Sequence, residues 1–284
     1  MIEARLIKMT DYSYLILGGD KRQVYLYNIL KSKNKKVKKI FLSDNDDENG
    51  LTENFKENVI ILPIPSSTDG KNLYTPLINK TVPLKSVTEK ISNDAILFTG
   101  GENPLFIQSK AKRRVNLLSS ETLTLKNALA TTEATLSIII NNISRTIFGS
   151  NILVIGYGRI GEMLTDYLIA LKGKVSVCAR KDIARTKAEL KGAETFGFNM
   201  LNHFLPKFDL IINTVPAQIL GKAELQHINR NALVIDLASK PAGIDFKYAK
   251  DLKLNTIHAL SLPGKYSPLS AAEYIEEAIE QALL

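Results

Sequence analysis

Residues 151–161 read Asn151-Ile152-Leu153-Val154-Ile155-Gly156-Tyr157-Gly158-Arg159-Ile160-Gly161, and this stretch decides the fold. The branched apolar run predicts a strand buried on both faces. It leads directly into the spacing G-x-G-x-x-G, after which the residues predict a helix. In that spacing Gly156 permits a tight turn, Gly158 lets the backbone approach a pyrophosphate, and Gly161 lets the helix lie close against the strand. The N–H groups where the helix begins, at Arg159, Ile160 and Gly161, predict a site for an anion. Strand, glycine loop, helix and second strand together predict a Rossmann dinucleotide-binding unit.

The end of the second strand, residues 174–178, selects the dinucleotide. An NAD protein places an acid about 20 residues beyond the glycines, where it holds the adenosine ribose. Here Ala179 is followed by Arg180 and Lys181. A guanidinium pairs with a 2′-phosphate through two parallel hydrogen bonds, and an acid would repel it, so this strand end predicts NADP. Asp182 reads as the N-cap of the next helix.

Further outward, strands are expected at 194–196, 209–212, 232–236 and 255–259, with helical segments between most of them. That alternation predicts a parallel sheet with right-handed crossovers, whose ligands sit beyond the carboxyl ends of the strands. Those ends place Asn213, Thr214, Val215, Pro216 and Ala238 beside a nicotinamide. Thr214, Ser239 and Lys240 are the candidate catalytic residues, with Ser239 and Lys240 gripping an anionic substrate; a solvated Lys240 is the alternative. His258 lies near the same edge, but a lone histidine reads as structural. Cys178, inside a buried strand, reads as a small hydrophobe. Asp44, Asp46, Asp47 and Glu48 lack calcium-loop spacing, so no metal is expected.

The 284 residues leave room for two medium domains. An apolar run at 12–17 ends in Gly18-Gly19-Asp20 and precedes a helix over 21–30. With strands at 39–42, 59–64 and 95–99 it predicts an α/β domain over 1–122, joined by a C-terminal helix over 268–284. Leu123, Leu129, Leu136, Ile139, Ile143 and Ile147 recur at helical spacing and predict a pair of connecting helices over 123–149. The Rossmann domain then occupies 150–267.

With 45% hydrophobic and 23% charged residues the composition is globular, and no run approaches the roughly 20 apolar residues of a membrane span. The start, MIEARLIKM, reads as no signal segment, and the single cysteine points to a reducing cytosol. Net charge is +8. Lys31, Lys33, Lys35, Lys36, Lys38 and Lys39 supply much of the excess without an interleaved stacking aromatic, so they read as a solvated face rather than a nucleic-acid patch.

Four stretches carry a resemblance: Gly18-Gly19-Asp20-Lys21-Arg22-Gln23; Leu97-Phe98-Thr99-Gly100; the nucleotide loop with Ala179-Arg180; and the run from Asp236 to Ala249, DLASKPAGIDFKYA, with Leu262-Pro263-Gly264 after it. On these the chain resembles the A-subunit family of dipicolinate synthases over essentially its whole length. It departs at Lys240-Pro241-Ala242-Gly243, where the family pattern is Arg-Pro-Gly-Gly. The resemblance implies two domains arranged as in 2-hydroxyacid dehydrogenases, with a flavodoxin-like N-terminal domain facing the nucleotide domain across a cleft. It also implies NADP-dependent oxidation of dihydrodipicolinate, a dicarboxylate, to dipicolinate in the mother-cell cytoplasm of a sporulating bacterium. Thr99 and Ser66 or Ser67 would then join Thr214, Ser239 and Lys240 in positioning the substrate. The implied partner is the flavoprotein-like B-subunit of dipicolinate synthase, and a homo-oligomer stays open. Two other readings compete: a 2-hydroxyacid dehydrogenase, which needs a protonated histidine and an arginine clamp, and a non-catalytic protein that only binds the cofactor.

Overall fold

Two parallel sheets organise the chain, each with central strands that are apolar on both faces. The structure is a computed structural model that describes residues 12–46, 51–239 and 241–284. Lys240, Asp47 and Glu48 therefore lie outside the described residues. The chain divides into two units, Met1–Asn127 with Pro263–Leu284, and Ala128–Leu262.

In the first unit β1 (Ser13–Leu17), β2 (Lys36–Ile40), β3 (Val59–Ile61), β4 (Ile96–Thr99) and β5 (Arg113–Asn116) are ordered β2-β1-β3-β4-β5, all parallel. Alternation along β1 sends Tyr14 and Ile16 into one core cluster and Leu15 and Leu17 into another. Helix α1 (Lys21–Ser32) follows β1 and contributes Leu26 and Leu30 to the Tyr14 side. The C-terminal helix Pro268–Leu283 brings Ala272, Ile275 and Ile279 to the same cluster.

Two elements differ from their sequence reading for electrostatic reasons. β2 begins at Lys36 rather than residue 39 because it is an edge strand, where lysines are tolerated on the solvent side. Two of its three lysines are nevertheless paired: Lys38 lies 2.7 Å from Glu57, and Lys39 lies 3.1 Å from Asp46. β5 is the other edge, and Arg113-Arg114 conceals it from any apolar pattern.

Helix α2 (Glu121–Asn142) is one helix, not the expected pair. Asn141 and Asn142, the last two residues of the helix, turn their side-chain amides back to the carbonyls of Ser137 and Ile138, each at 2.8 Å. The boundary between the units falls within it, between Asn127 and Ala128.

In the second unit β6 (Asn151–Ile155), β7 (Lys174–Cys178), β8 (Glu194–Phe196), β9 (Leu210–Asn213), β10 (Leu233–Asp236) and β11 (Asn255–His258) are ordered β11-β10-β9-β6-β7-β8, again all parallel. Counted within the unit this is the 3-2-1-4-5-6 order of a dinucleotide-binding sheet, with its switch point between β6 and β9. Among the described residues no helix is long and apolar enough to cross a membrane.

The turn after β1 is held by an ion pair. Asp20 caps α1 in a capping box with Gln23, and Arg22 returns Nε to Asp20 Oδ1 at 2.9 Å and Nη2 to Oδ2 at 2.8 Å. Both side chains are largely buried, and Arg22 also donates to the carbonyl of Ile64 at the end of the β3 segment. A methyl group on Gly264 would lie 2.5 Å from Asp20 Oδ2, so only glycine lets that backbone pass. Arg22→Ala strands a buried carboxylate and should cost about 3 kcal/mol of unfolding free energy in a urea titration. Asp20→Asn in that background should recover part of the loss, because asparagine caps without charge; a loss below about 1 kcal/mol in Arg22→Ala would show the pair to be dispensable.

Candidate dinucleotide site

β6 is buried along its apolar run and ends at Gly156, whose φ of +94° only glycine adopts without strain. Helix α3 (Arg159–Ala170) begins three residues later. A Cβ on Gly161 would sit 2.3 Å from the carbonyl oxygen of Gly156, so the helix and the strand end are pressed together as the sequence requires. A Cβ on Gly156 would meet the Thr214 hydroxyl at 2.5 Å.

Gly158 is different. It occupies the N-cap with extended backbone, φ −90° and ψ −166°, and an added Cβ would meet nothing within 4 Å. Neither strain nor packing within the chain therefore calls for glycine there. What a side chain would fill is the open space in front of the first turn of α3, which has no side-chain cap of its own. A pyrophosphate approaching uncapped N–H groups fits that space, and the residues present fit a dinucleotide.

The loop opens into a cavity of about 500 Å³. Gly156, Tyr157 and Gly158 form one side, Ala179, Arg180 and Lys181 another, and Phe198, Val215 and Ile219 supply apolar wall. Arg180 and Lys181 are exposed, and among the described residues neither side chain has a hydrogen-bond or ion-pair partner. Glu162 would place negative charge in the first turn of α3, but Lys191 lies 3.0 Å from it and 2.7 Å from Asp166. Those contacts push the Lys191 ammonium above its ordinary range, led by the hydrogen bond to Asp166. The acid beside the expected phosphate position is thus ion-paired, through an ammonium it shares with Asp166.

Asp182 is not the N-cap. Lys181 takes that position without a side-chain cap, and Asp182 becomes the first residue of helix α4 (Asp182–Leu190), where its carboxylate pairs with Arg185. Burial pushes the Cys178 thiol up to about 12, which suits a packed hydrophobe rather than a nucleophile.

At the sheet edge the expected residues separate into two kinds. Asn213 and Asp236 are fully buried. Asn213 donates to Asp236 Oδ1 at 2.8 Å and to the Val215 carbonyl at 3.0 Å, and its own oxygen accepts from Val215 N at 3.2 Å. Asp236 also accepts from Ala238 N at 3.1 Å and Gly243 N at 2.8 Å. This buried pair, whose structural role the sequence reading missed, shapes the loops after β9 and β10. Thr214 donates its hydroxyl to the Ile155 carbonyl at 2.9 Å and ties β9 to the end of β6. Pro216 and Ser239 are exposed, and Ala238 is buried. His258 stacks on Phe246, with ring centroids 4.9 Å apart, and its Nε2 lies 3.2 Å from the Ala238 carbonyl, a contact that braces the same loop. Among the described residues no group of His, Cys, Asp and Glu is arranged to hold a metal.

Fold and loop together define an NAD(P)-binding domain of the dehydrogenase type. Residues 130–242 match the family model for the D-isomer specific 2-hydroxyacid dehydrogenase NAD-binding domain, and residues 13–120 match that for the N-terminal domain of the dipicolinate synthase A-subunit. The dipicolinate synthase A-subunit of Bacillus subtilis (strain 168) is 29% identical over 290 residues, covering 97% of each chain. Among solved structures, the dipicolinate synthase A-subunit from Bacillus halodurans superposes with a TM-score of 0.85 at 26% identity, over 96% of this chain and 98% of that one. The solved Bacillus subtilis counterpart gives 0.82 at 26% identity, over 96% of each. Over nearly its whole length the chain is thus similar to the A-subunits of dipicolinate synthases.

The second and third glycines of the loop should respond differently to the same methyl group. Gly161→Ala should lower stability by about 1–3 kcal/mol through overpacking. Gly158→Ala should leave stability within about 0.5 kcal/mol and weaken dinucleotide binding at least about tenfold. Thermal melts and fluorescence titrations of both variants check this, and unchanged binding in Gly158→Ala would remove the ligand from that space.

Proposed function

We propose that this chain is the NADP-dependent oxidoreductase component of a dipicolinate synthase. The observation that carries the proposal is the open cradle at Gly158 beside the unpaired cations Arg180 and Lys181. Similarity to dipicolinate synthase A-subunits supports the substrate, a dihydrodipicolinate-type dicarboxylate, and the product, dipicolinate. Gly156, Gly158, Gly161 and Arg180 would hold the dinucleotide, which would supply a hydride acceptor for the partly reduced ring. One proton leaves as the ring becomes an aromatic pyridine.

Because aromatisation makes that proton easy to lose, positioning contributes more here than a strong general base, and a held near-attack geometry contributes several kcal/mol. The buried Asn213–Asp236 pair and the Thr214 bond to Ile155 fix the loops at the ends of β9 and β10. The β10 loop presents the exposed Ser239, with Lys240 next in sequence; these two are the proposed carboxylate grips. Thr214, with its proton committed to a backbone carbonyl, acts in this scheme by holding the loop. The order β2-β1-β3-β4-β5 matches flavodoxin sheets and supports a flavodoxin-like reading of the first unit. Arg113, Arg114 and the other basic residues call for no nucleic acid in this scheme. A heteromeric complex with the flavoprotein-like B-subunit, in the mother-cell cytoplasm, is part of the same proposal.

The chain should bind NADPH more tightly than NADH. Arg180→Ala should weaken NADPH alone, by about 1.5–3 kcal/mol for a charged contact, with Lys181 masking part of the loss. Lys240→Ala should reduce kcat/KM for the dicarboxylate by about the same amount while cofactor affinity holds. Mixing the chain with its candidate partner protein, NADP and freshly made dihydrodipicolinate synthase product should generate the pyridine ultraviolet spectrum. Turnover of 2-oxo acids in its place would favour a 2-hydroxyacid dehydrogenase.

A further inference from the structure

Next in sequence to the cavity-lining Arg180 and Lys181 stands an acid that ought to oppose a 2′-phosphate. Asp182 follows Arg180 and Lys181 directly, and its side chain is 90% exposed. Arg185, one turn further along α4, is only 25% exposed and binds three groups. Its Nη2 pairs with the Asp182 carboxylate, and its Nη1 donates to the carbonyls of Ala179 at 2.8 Å and Arg180 at 3.1 Å. One guanidinium therefore fastens the backbone on which Arg180 is mounted and neutralises the acid beside it.

Geometry explains why arginine suits this position. The planar fork reaches two carbonyls and a carboxylate at once, which an ammonium on a flexible stem does with less order. The carbonyl oxygens of Ala179 and Arg180 carry partial negative charge, and without Arg185 they would lose this donor. Capturing them, together with Asp182, leaves Arg180 and Lys181 as the unopposed charges of this strand end. The pairing of Lys191 with Glu162 does the same on the other side of the loop.

We infer that Arg185 is a positioning and specificity-determining residue for the phosphorylated dinucleotide. It shapes the β7–α4 turn and withdraws Asp182 from the 2′-phosphate without touching the phosphate itself. The inference rests on the NADP reading, and it adds that the preference belongs to a four-residue charge arrangement of Arg180, Lys181, Asp182 and Arg185.

A double-mutant cycle tests it, read by fluorescence titration with NADPH and NADH and not by turnover. Arg185→Gln should lower NADPH affinity about tenfold and change NADH affinity by less than about twofold, because it frees an acid that repels only the phosphorylated ligand. Asp182→Asn alone should shift the NADPH to NADH ratio by less than about twofold, since that charge is already paired. In the Arg185→Gln background the same Asp182→Asn change should raise NADPH affinity by about threefold or more. A merely structural Arg185 would weaken both nucleotides alike, and this outcome, or equal effects of Asp182→Asn in both backgrounds, would overturn the inference. Arg185→Met, which keeps the side-chain stem, replaces Arg185→Gln in the cycle if the latter does not fold. Equal affinity of the unmodified chain for both nucleotides would overturn the NADP reading itself, whereas a preference that survives in Arg185→Gln would overturn only the role of Arg185.

Discussion

The start of α3 lies so near the end of β6 that a single methyl group at Gly161 would come within 2.3 Å of the Gly156 carbonyl. That approach sets the direction of the helix, places its uncapped N–H groups at the carboxyl edge of the sheet, and leaves the space at Gly158 in front of them. Thr214 completes the arrangement by bonding β9 to Ile155, across the switch point where the strand order reverses. Relaxing this contact would move the anion site and the cavity beside it together. The rest of the nucleotide unit is arranged around this constraint.

Charge in the cavity is sorted by pairing. Glu162 and Asp182, the acids near the expected phosphates, are taken by Lys191 and Arg185, while Arg180 and Lys181 have no partner among the described residues. A net charge of +8 alone would describe a mildly basic protein. The pairing shows which of those cations are available to a ligand. In the first unit half of the lysine cluster goes the other way, with Lys33 2.5 Å from Glu276, Lys38 held by Glu57 and Lys39 by Asp46.

Much of this is legible in the sequence because the signals are local. The glycine spacing and the apolar strands of the second unit carry their own periodicity, and the observed strands start and stop within a residue or so of their sequence reading. Edge strands are less legible: β5 is introduced by Lys112-Arg113-Arg114, and β2 shows an alternation that lysines obscure. From sequence the buried Asn213–Asp236 pair reads as ligand edge, since sequence does not say which way a polar side chain at a strand end turns. Asp182 reads as a cap on residue type alone. Its partner, three residues on, decides its role, and side-chain pairing of that kind becomes visible only once the turn has a shape.

The central claim, that the end of β7 is built for a phosphate on the adenosine ribose, is tested most directly on the phosphate itself. A phosphate monoester releases its second proton near pH 6, and neighbouring cations favour the dianion. Phosphorus NMR of NADPH bound to the chain, titrated through that range, should show the 2′-phosphate midpoint displaced below its free value while the pyrophosphate signals stay insensitive to pH. A bound 2′-phosphate whose midpoint matches or exceeds that of free NADPH would contradict the account.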